Sequence, residues 1–142
     1  MNPSTKLLLK GYQAADFIVI NATTNPEDTF PKIDELRDII KGTKKISAND
    51  LVGHDDILSL QKTSEGQQAM TILGGLREIQ EMGSFFLNQL ESRMRGEYGA
   101  DVDDVHRTVS DIASVAEQIN TVMRSTHELT KVMEVEEPNF AP

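Results

Sequence analysis

Between residues 101 and 135 apolar side chains return every three or four positions, at Val102, Val105, Val109, Ile112, Ala116, Ile119 and Met123. That is the period of one face of an α-helix, and it predicts a helix over the whole segment. A second seam overlaps the first at Ile112, Val115, Ile119, Val122 and Leu129, reaching Met133 and interrupted by Thr126. The combined face is wider than a two-stranded coil buries, so it predicts a bundle or a higher oligomer. Asp101 stands where an N-cap belongs and Asp104 follows in the first turn, both favourable at the positive end of the helix dipole.

Upstream, Ser64 and Gln67 have capping-box spacing, and behind them Ala69, Leu73, Leu76, Leu87, Leu90 and Met94 form a stripe that ends at Gly96. This predicts a second long helix. From Met82 to Leu87 it is apolar on most sides, so Phe85 and Phe86 are expected to face different neighbours, within a core in preference to a subunit contact. Gly74, Gly75 and Gly83 each cost a helix about 1 kcal/mol relative to alanine. They either permit close approach of a neighbouring backbone or mark a break, and the sequence leaves both readings open. Arg95 to Ala100, with Gly96 and Gly99, is a loop short enough to fold the two helices into an antiparallel hairpin.

The N-terminal part is more broken. Leu8, Tyr12, Ala15, Val19 and Ala22 predict a helix over 5–22, although Phe17 to Ile20 alone also suits a buried strand. Asn25 and Pro26 interrupt the chain. Ile33, Leu36, Ile39 and Ile40 then predict a short helix closed by Gly42, with Pro31 near its first turn. Ser47 with Asp50, and Asp55 ahead of Ile57, Leu58 and Leu60, suggest short helical turns. The expected fold is therefore all-α and of helical-bundle type: one domain over 1–142, with shorter helices in 1–62. A long antiparallel hairpin follows in 63–135 (helices at about 65–95 and 101–135), then an extended tail at 136–142 that includes Phe140.

Charge narrows the function. Residues 1–62 hold eight basic and nine acidic side chains and residues 63–142 hold six and fourteen, so the hairpin half carries eight of the nine net negative charges. That balance argues against a nucleic-acid partner and against attraction to an anionic membrane. Zero cysteines remove a disulfide framework, a thiol nucleophile and thiolate metal sites. The longest apolar runs, Phe17 to Ile20 and Phe85 to Leu87, are far shorter than the roughly 20 residues that cross a bilayer, so no membrane insertion is expected. Only Leu7 to Leu9 lie between Lys6 and Lys10, too few for a secretory signal, which suggests a cytoplasmic protein or a part of an assembled particle.

Chemistry-bearing patterns are sparse. Neither GxGxxG nor GxxxxGK[ST] occurs, and no cofactor is implied. His54, His106 and His127 do not share the spacing of a zinc helix. Asp103 and His106, three apart and within possible reach of Glu78 or Glu81, make a weak metal pair and a better solvated helix start. Asp101, Asp103 and Asp104 lack a calcium loop, because His106 and Ile112 stand where a glycine and a carboxylate are required. No GxSxG surrounds a serine, and Ser110, Ser114 and Ser125 look like the polar side of a helix. Lys41, Lys44 and Lys45 follow a helix end, where the dipole accounts for them. Asn21, Ala22 and Thr23 form a sequon expected to be silent.

No catalytic, cofactor or metal residue is singled out. The remaining candidates form an interface set: Ile112, Val115, Ile119, Val122, Leu129, Phe85 and Phe86. Whether the second seam is core or contact surface stays open. The expectation is a non-enzymatic assembly protein that oligomerises with itself or docks into a larger complex. A lack of Cys and Trp together with many Ser, Thr, Asn and Gln loosely resembles components of viral particles and secretion machines. The alternative is a small acidic adaptor, chaperone or inhibitor that binds a basic protein.

Overall fold

The computed structural model describes residues 3–52, 62–96 and 102–136. Its helices are α1 (Pro3–Asn21), α2 (Pro26–Thr43), α3 (Ala48–Val52), α4 (Ser64–Glu78), a π-helical turn (Ile79–Gly83), α5 (Ser84–Arg95) and α6 (Val102–Glu136). No strand occurs among the described residues, so Phe17 to Ile20 continue a helix. Helix α4, the π turn and α5 follow one another without interruption and act as one rod.

Local chemistry explains the helix starts. Pro26 opens α2, where a missing N–H costs nothing and the fixed φ is already helical. The second helix thus begins at Pro26, ahead of the expected start near Pro31. Pro31 lies inside it, on the exposed side, where water can reach the carbonyl it leaves without a partner. Ser47 and Asp50 form the reciprocal cap of α3: the Ser47 N–H donates to Asp50 Oδ2 at 2.7 Å and the Asp50 N–H to Ser47 Oγ at 3.4 Å. The rod starts one residue before the expected cap, with Thr63 Oγ1 accepting from the Gly66 N–H at 3.0 Å.

The four long helices form an up-down-up-down bundle. Gly42 against Leu7, and Gly11 against Leu36 and Ile39, make α1 and α2 antiparallel. Arg37 donates to Asn88 Oδ1 and Gln80 to Thr43 Oγ1, which runs α2 antiparallel to the rod. Arg93 pairs with Asp111 while Gly75 abuts Thr126, so the rod and α6 form the expected antiparallel hairpin. Gly11 against Met123 and Tyr12 against His127 then close α6 onto α1.

One core runs through the bundle, with Leu8 and Ile18 of α1, Ile33 and Leu36 of α2, and Leu51 of α3. The rod adds Ile72, Leu76, Ile79, Leu87 and Leu90, and α6 adds Ile112 and Ile119. Each such side chain contributes about 1.5–3 kcal/mol when taken fully out of water.

The three rod glycines have different roles. A Cβ on Gly75 would lie 3.0 Å from Thr126 Oγ1 and one on Gly83 3.1 Å from Ile40 Cδ1, so both permit close packing. Gly83 also ends the π turn, a local widening that the helix passes through without stopping. Gly74 meets nothing within 4 Å. The expected turns at Asp55 to Leu60, most of the inter-helix loop, the cap at Asp101 and the tail beyond Glu136 lie outside the described residues.

Candidate interaction surface

The two seams of α6 are divided between the inside and the outside of the bundle. Ile112 and Ile119 are fully buried and Val115 nearly so, because α1 and the rod cover this face from the same chain. Three of the seven interface candidates are thus core. Thr126, the apparent gap in the second seam, is buried as well, against the bare backbone of Gly75. Val122 is half-buried at the edge of the core, and Leu129 is 40% exposed.

Phe85 is 54% exposed, against the expectation of a core position. Inward positions on the rod run Leu76, Ile79, Gly83, Leu87 and Leu90, and Phe85 is two residues from both Gly83 and Leu87. Two residues are about 200° of helical rotation, so Phe85 points outward once Gly83 is recognised as a core position. The signal was in the sequence, hidden because a glycine occupies a slot in the apolar stripe. Phe86, half-buried, meets Phe85 edge-on with ring centroids 5.6 Å apart.

Between the rod and α6 lies an open groove of about 520 Å³, lined by Phe86, Ser114, Glu117, Gln118, Thr121 and Val122. Its floor is apolar, from Phe86 and Val122, and its rim carries hydroxyls, an amide and a carboxylate. Phe85 stands beside it, and Met82, 41% exposed, lies one turn back on the rod. Glu117 has no cation partner among the described residues, so its charge is available to an incoming group. Such a lining accepts an apolar side chain and offers hydrogen bonds around it.

Titratable groups elsewhere serve packing. The Arg37 guanidinium hydrogen-bonded to Glu91 holds its carboxyl below the usual carboxylate range, with Arg95 adding to this and partial burial opposing it. This clamp joins α2 to α5. Asp103 and His106 are exposed at the start of α6, Glu81 pairs with Arg77, and no group of three metal-capable side chains occurs among the described residues. His127 is buried, stacked parallel on Tyr12 at 5.9 Å, and its Nδ1 has no hydrogen-bond partner. The Asn21 amide of the sequon is engaged: Nδ2 donates to the Phe17 carbonyl at 2.9 Å, and Oδ1 accepts from Asn25 at 3.2 Å.

Sequence reasoning missed Ile20, at 63% the most exposed large apolar side chain among the described residues. Its neighbours Val19 and Ala22 carried the predicted stripe, which left Ile20 on the far side of α1. No helix among the described residues is long and apolar enough to cross a membrane. Comparison of the chain with protein-family models, with curated proteins and with solved structures finds no match in any of the three.

Proposed function

We propose that this chain is a non-enzymatic assembly protein that joins copies of itself, or docks into a larger complex such as a viral particle or a secretion apparatus, through the outer face of its helical hairpin. The observation that supports this reading is Phe85, more than half exposed beside an apolar-floored groove. An aromatic side chain left in water at the mouth of a groove is a natural anchor for a partner. The exposed apolar surface is modest because Ile112, Val115 and Ile119 are spent on the chain's own core. That favours a docking contact over an obligate oligomer, which buries 2,000 Å² or more of mostly apolar surface.

Phe85→Asp and Val122→Asp test it. A docking surface predicts that Phe85→Asp changes the molar mass by light scattering, at concentrations where the native chain associates, and leaves thermal unfolding within a few degrees. A large loss of stability from Phe85→Asp makes the patch structural and overturns the reading. Val122→Asp, at the core edge, should show both effects.

A second reading, an acidic adaptor for a basic protein, is favoured by the uncompensated Glu117 on the groove and the negative hairpin half. It requires an affinity that weakens as salt rises, read by calorimetry against a lysine-rich amphipathic peptide.

A further inference from the structure

Beyond Phe86 and Val122 the groove between the rod and α6 runs on to a second apolar point. The exposed Leu129 follows Val122 by seven residues, two turns along the same stripe of α6 and about 10 Å away at ~1.5 Å per residue. Glu117 and the exposed Glu128 share a neighbouring stripe, eleven residues and about 16 Å apart. Glu78 stands one turn past Gly75, the residue that abuts Thr126. It is therefore on the side of the rod that faces α6, level with the stretch between Val122 and Leu129, and it is exposed. Two apolar points in line are thus bordered by two carboxylates on one flank and one on the other.

The flanks are of one sign. Residues 78–92 of the rod and 112–123 of α6 hold four glutamates and no lysine or arginine. Glu81 and Glu91 are paired with arginines, whereas Glu78, Glu117 and Glu128 have no cation partner among the described residues. Unpaired carboxylates beside an apolar strip favour a surface that brings bases and apolar side chains together. This chain does not supply one. A symmetric contact of groove with groove sets Glu117 against Glu117. On α1, Lys6 and Lys10 are about 21 and 15 Å along the helix from the exposed Ile20. Lys41, Lys44 and Lys45 lie at the end of α2, a helix with no exposed large apolar side chain.

We propose that the groove seats a basic amphipathic helix of a different protein. Two apolar side chains seven residues apart on that helix repeat the spacing of Val122 and Leu129: one enters the groove between Phe86 and Val122, and the other packs on Leu129. Lysines or arginines beside them reach Glu117 and Glu128 on one flank and Glu78 on the other. An extended peptide fits less well, because about 10 Å is three residues of strand and residues three apart point to opposite faces. The carboxylates stand at the rim in water, so they set partner choice and salt dependence more than affinity. This rests on the reading of the groove as a docking surface and names its occupant.

Two synthetic helical peptides of one composition, alanine-rich with several lysines and two leucines, provide the test. The first carries its leucines seven residues apart with lysines on both flanks, and the second carries them two apart, on opposite faces. Calorimetry against the full chain should show the first binding about tenfold more tightly than the second, and weakening as salt rises. Leu129→Asp should cost the first peptide about tenfold, as should Glu78→Lys with Glu117→Lys, and thermal unfolding of both chains should stay within a few degrees of the native one. The charge-reversed chain should instead bind a peptide with glutamate in place of each lysine. Equal binding of the two leucine arrangements, or affinity for the first unchanged by Glu78→Lys with Glu117→Lys, overturns the proposal. So does a native chain that fails to bind the first peptide. If the mass of that chain rises with concentration and Phe85→Asp abolishes the rise, the docking surface stands with another occupant. Phe85→Asp that unfolds sinks the docking surface itself.

Discussion

Two stretches of α6 meet their neighbours by different means. From Ile112 to Ile119 the inward positions are Ile112, Val115, Ala116 and Ile119, all aliphatic and matched to the large side chains of the rod and α1. From Asn120 to Thr130 the inward positions are Asn120, Met123, Thr126, His127 and Thr130, four of them polar. The hydroxyls here are absorbed locally or fitted to glycine: Thr130 Oγ1 donates to the Thr126 carbonyl at 3.0 Å, while Thr126 sits against Gly75. Asn120 Oδ1 accepts from Arg124, whose guanidinium also lies over the Tyr12 ring. One stretch is held by volume, so it should tolerate no loss. The other is held by the absence of volume, so it should tolerate no gain.

The largest test of that contrast is Ile119→Ala. A fully buried aliphatic side chain removed from close packing costs about 2–5 kcal/mol, visible in urea as a lower midpoint at unchanged slope. A loss below 1 kcal/mol would mean that the middle of α6 collapses around cavities, and the contrast would fail. Next comes a pair of adjacent glycines on the rod. Gly75→Ala should destabilise by about 1–3 kcal/mol, because its Cβ would press on the β-branched Thr126, whose χ1 is stiff. Gly74→Ala, in open space, should stabilise by about 0.5–1 kcal/mol through helix propensity alone. Equal signs in urea melts would show that contact with α6 does not set the value of these positions.

The smallest effect is expected at the Arg37 to Glu91 clamp, which lies outside both stretches and calibrates what charge alone contributes. Glu91→Gln should cost about 0.5–1 kcal/mol near neutral pH. The sign follows from the lowered proton affinity of the folded carboxyl: its contribution is present above the ordinary carboxylate range and is lost as pH falls through the lowered value. Melts of both proteins from neutral to acid pH should therefore converge. A gap that widens in acid would put the clamp's effect elsewhere.

Much of the fold was legible because its causes are local. The period of Val105 to Met123, the Ser47 and Asp50 cap, and a proline-free stretch from Thr63 to Glu137 act within a few residues of themselves. The candidate site was legible only in part. Phe85, Phe86 and Val122 were picked out by their apolar character. Their separation from Ile112, Val115 and Ile119 depended on where two other helices come to rest. Ile20 was passed over because a single exposed aliphatic residue on a helix carries no periodic signal.

By itself the sequence determined that the chain is helical, that its second half is a hairpin, and that its charge is concentrated there. Tertiary structure alone decided which apolar residues are covered, why a threonine interrupts an otherwise aliphatic seam, and that the end of α2 with Lys41, Lys44 and Lys45 comes to rest beside the start of α1. The physical reason is distance along the chain. Helix formation is a matter of neighbours three and four residues apart, whereas the fit of Gly75 to Thr126, or of Gly42 to Leu7, joins positions that come together only when the bundle closes.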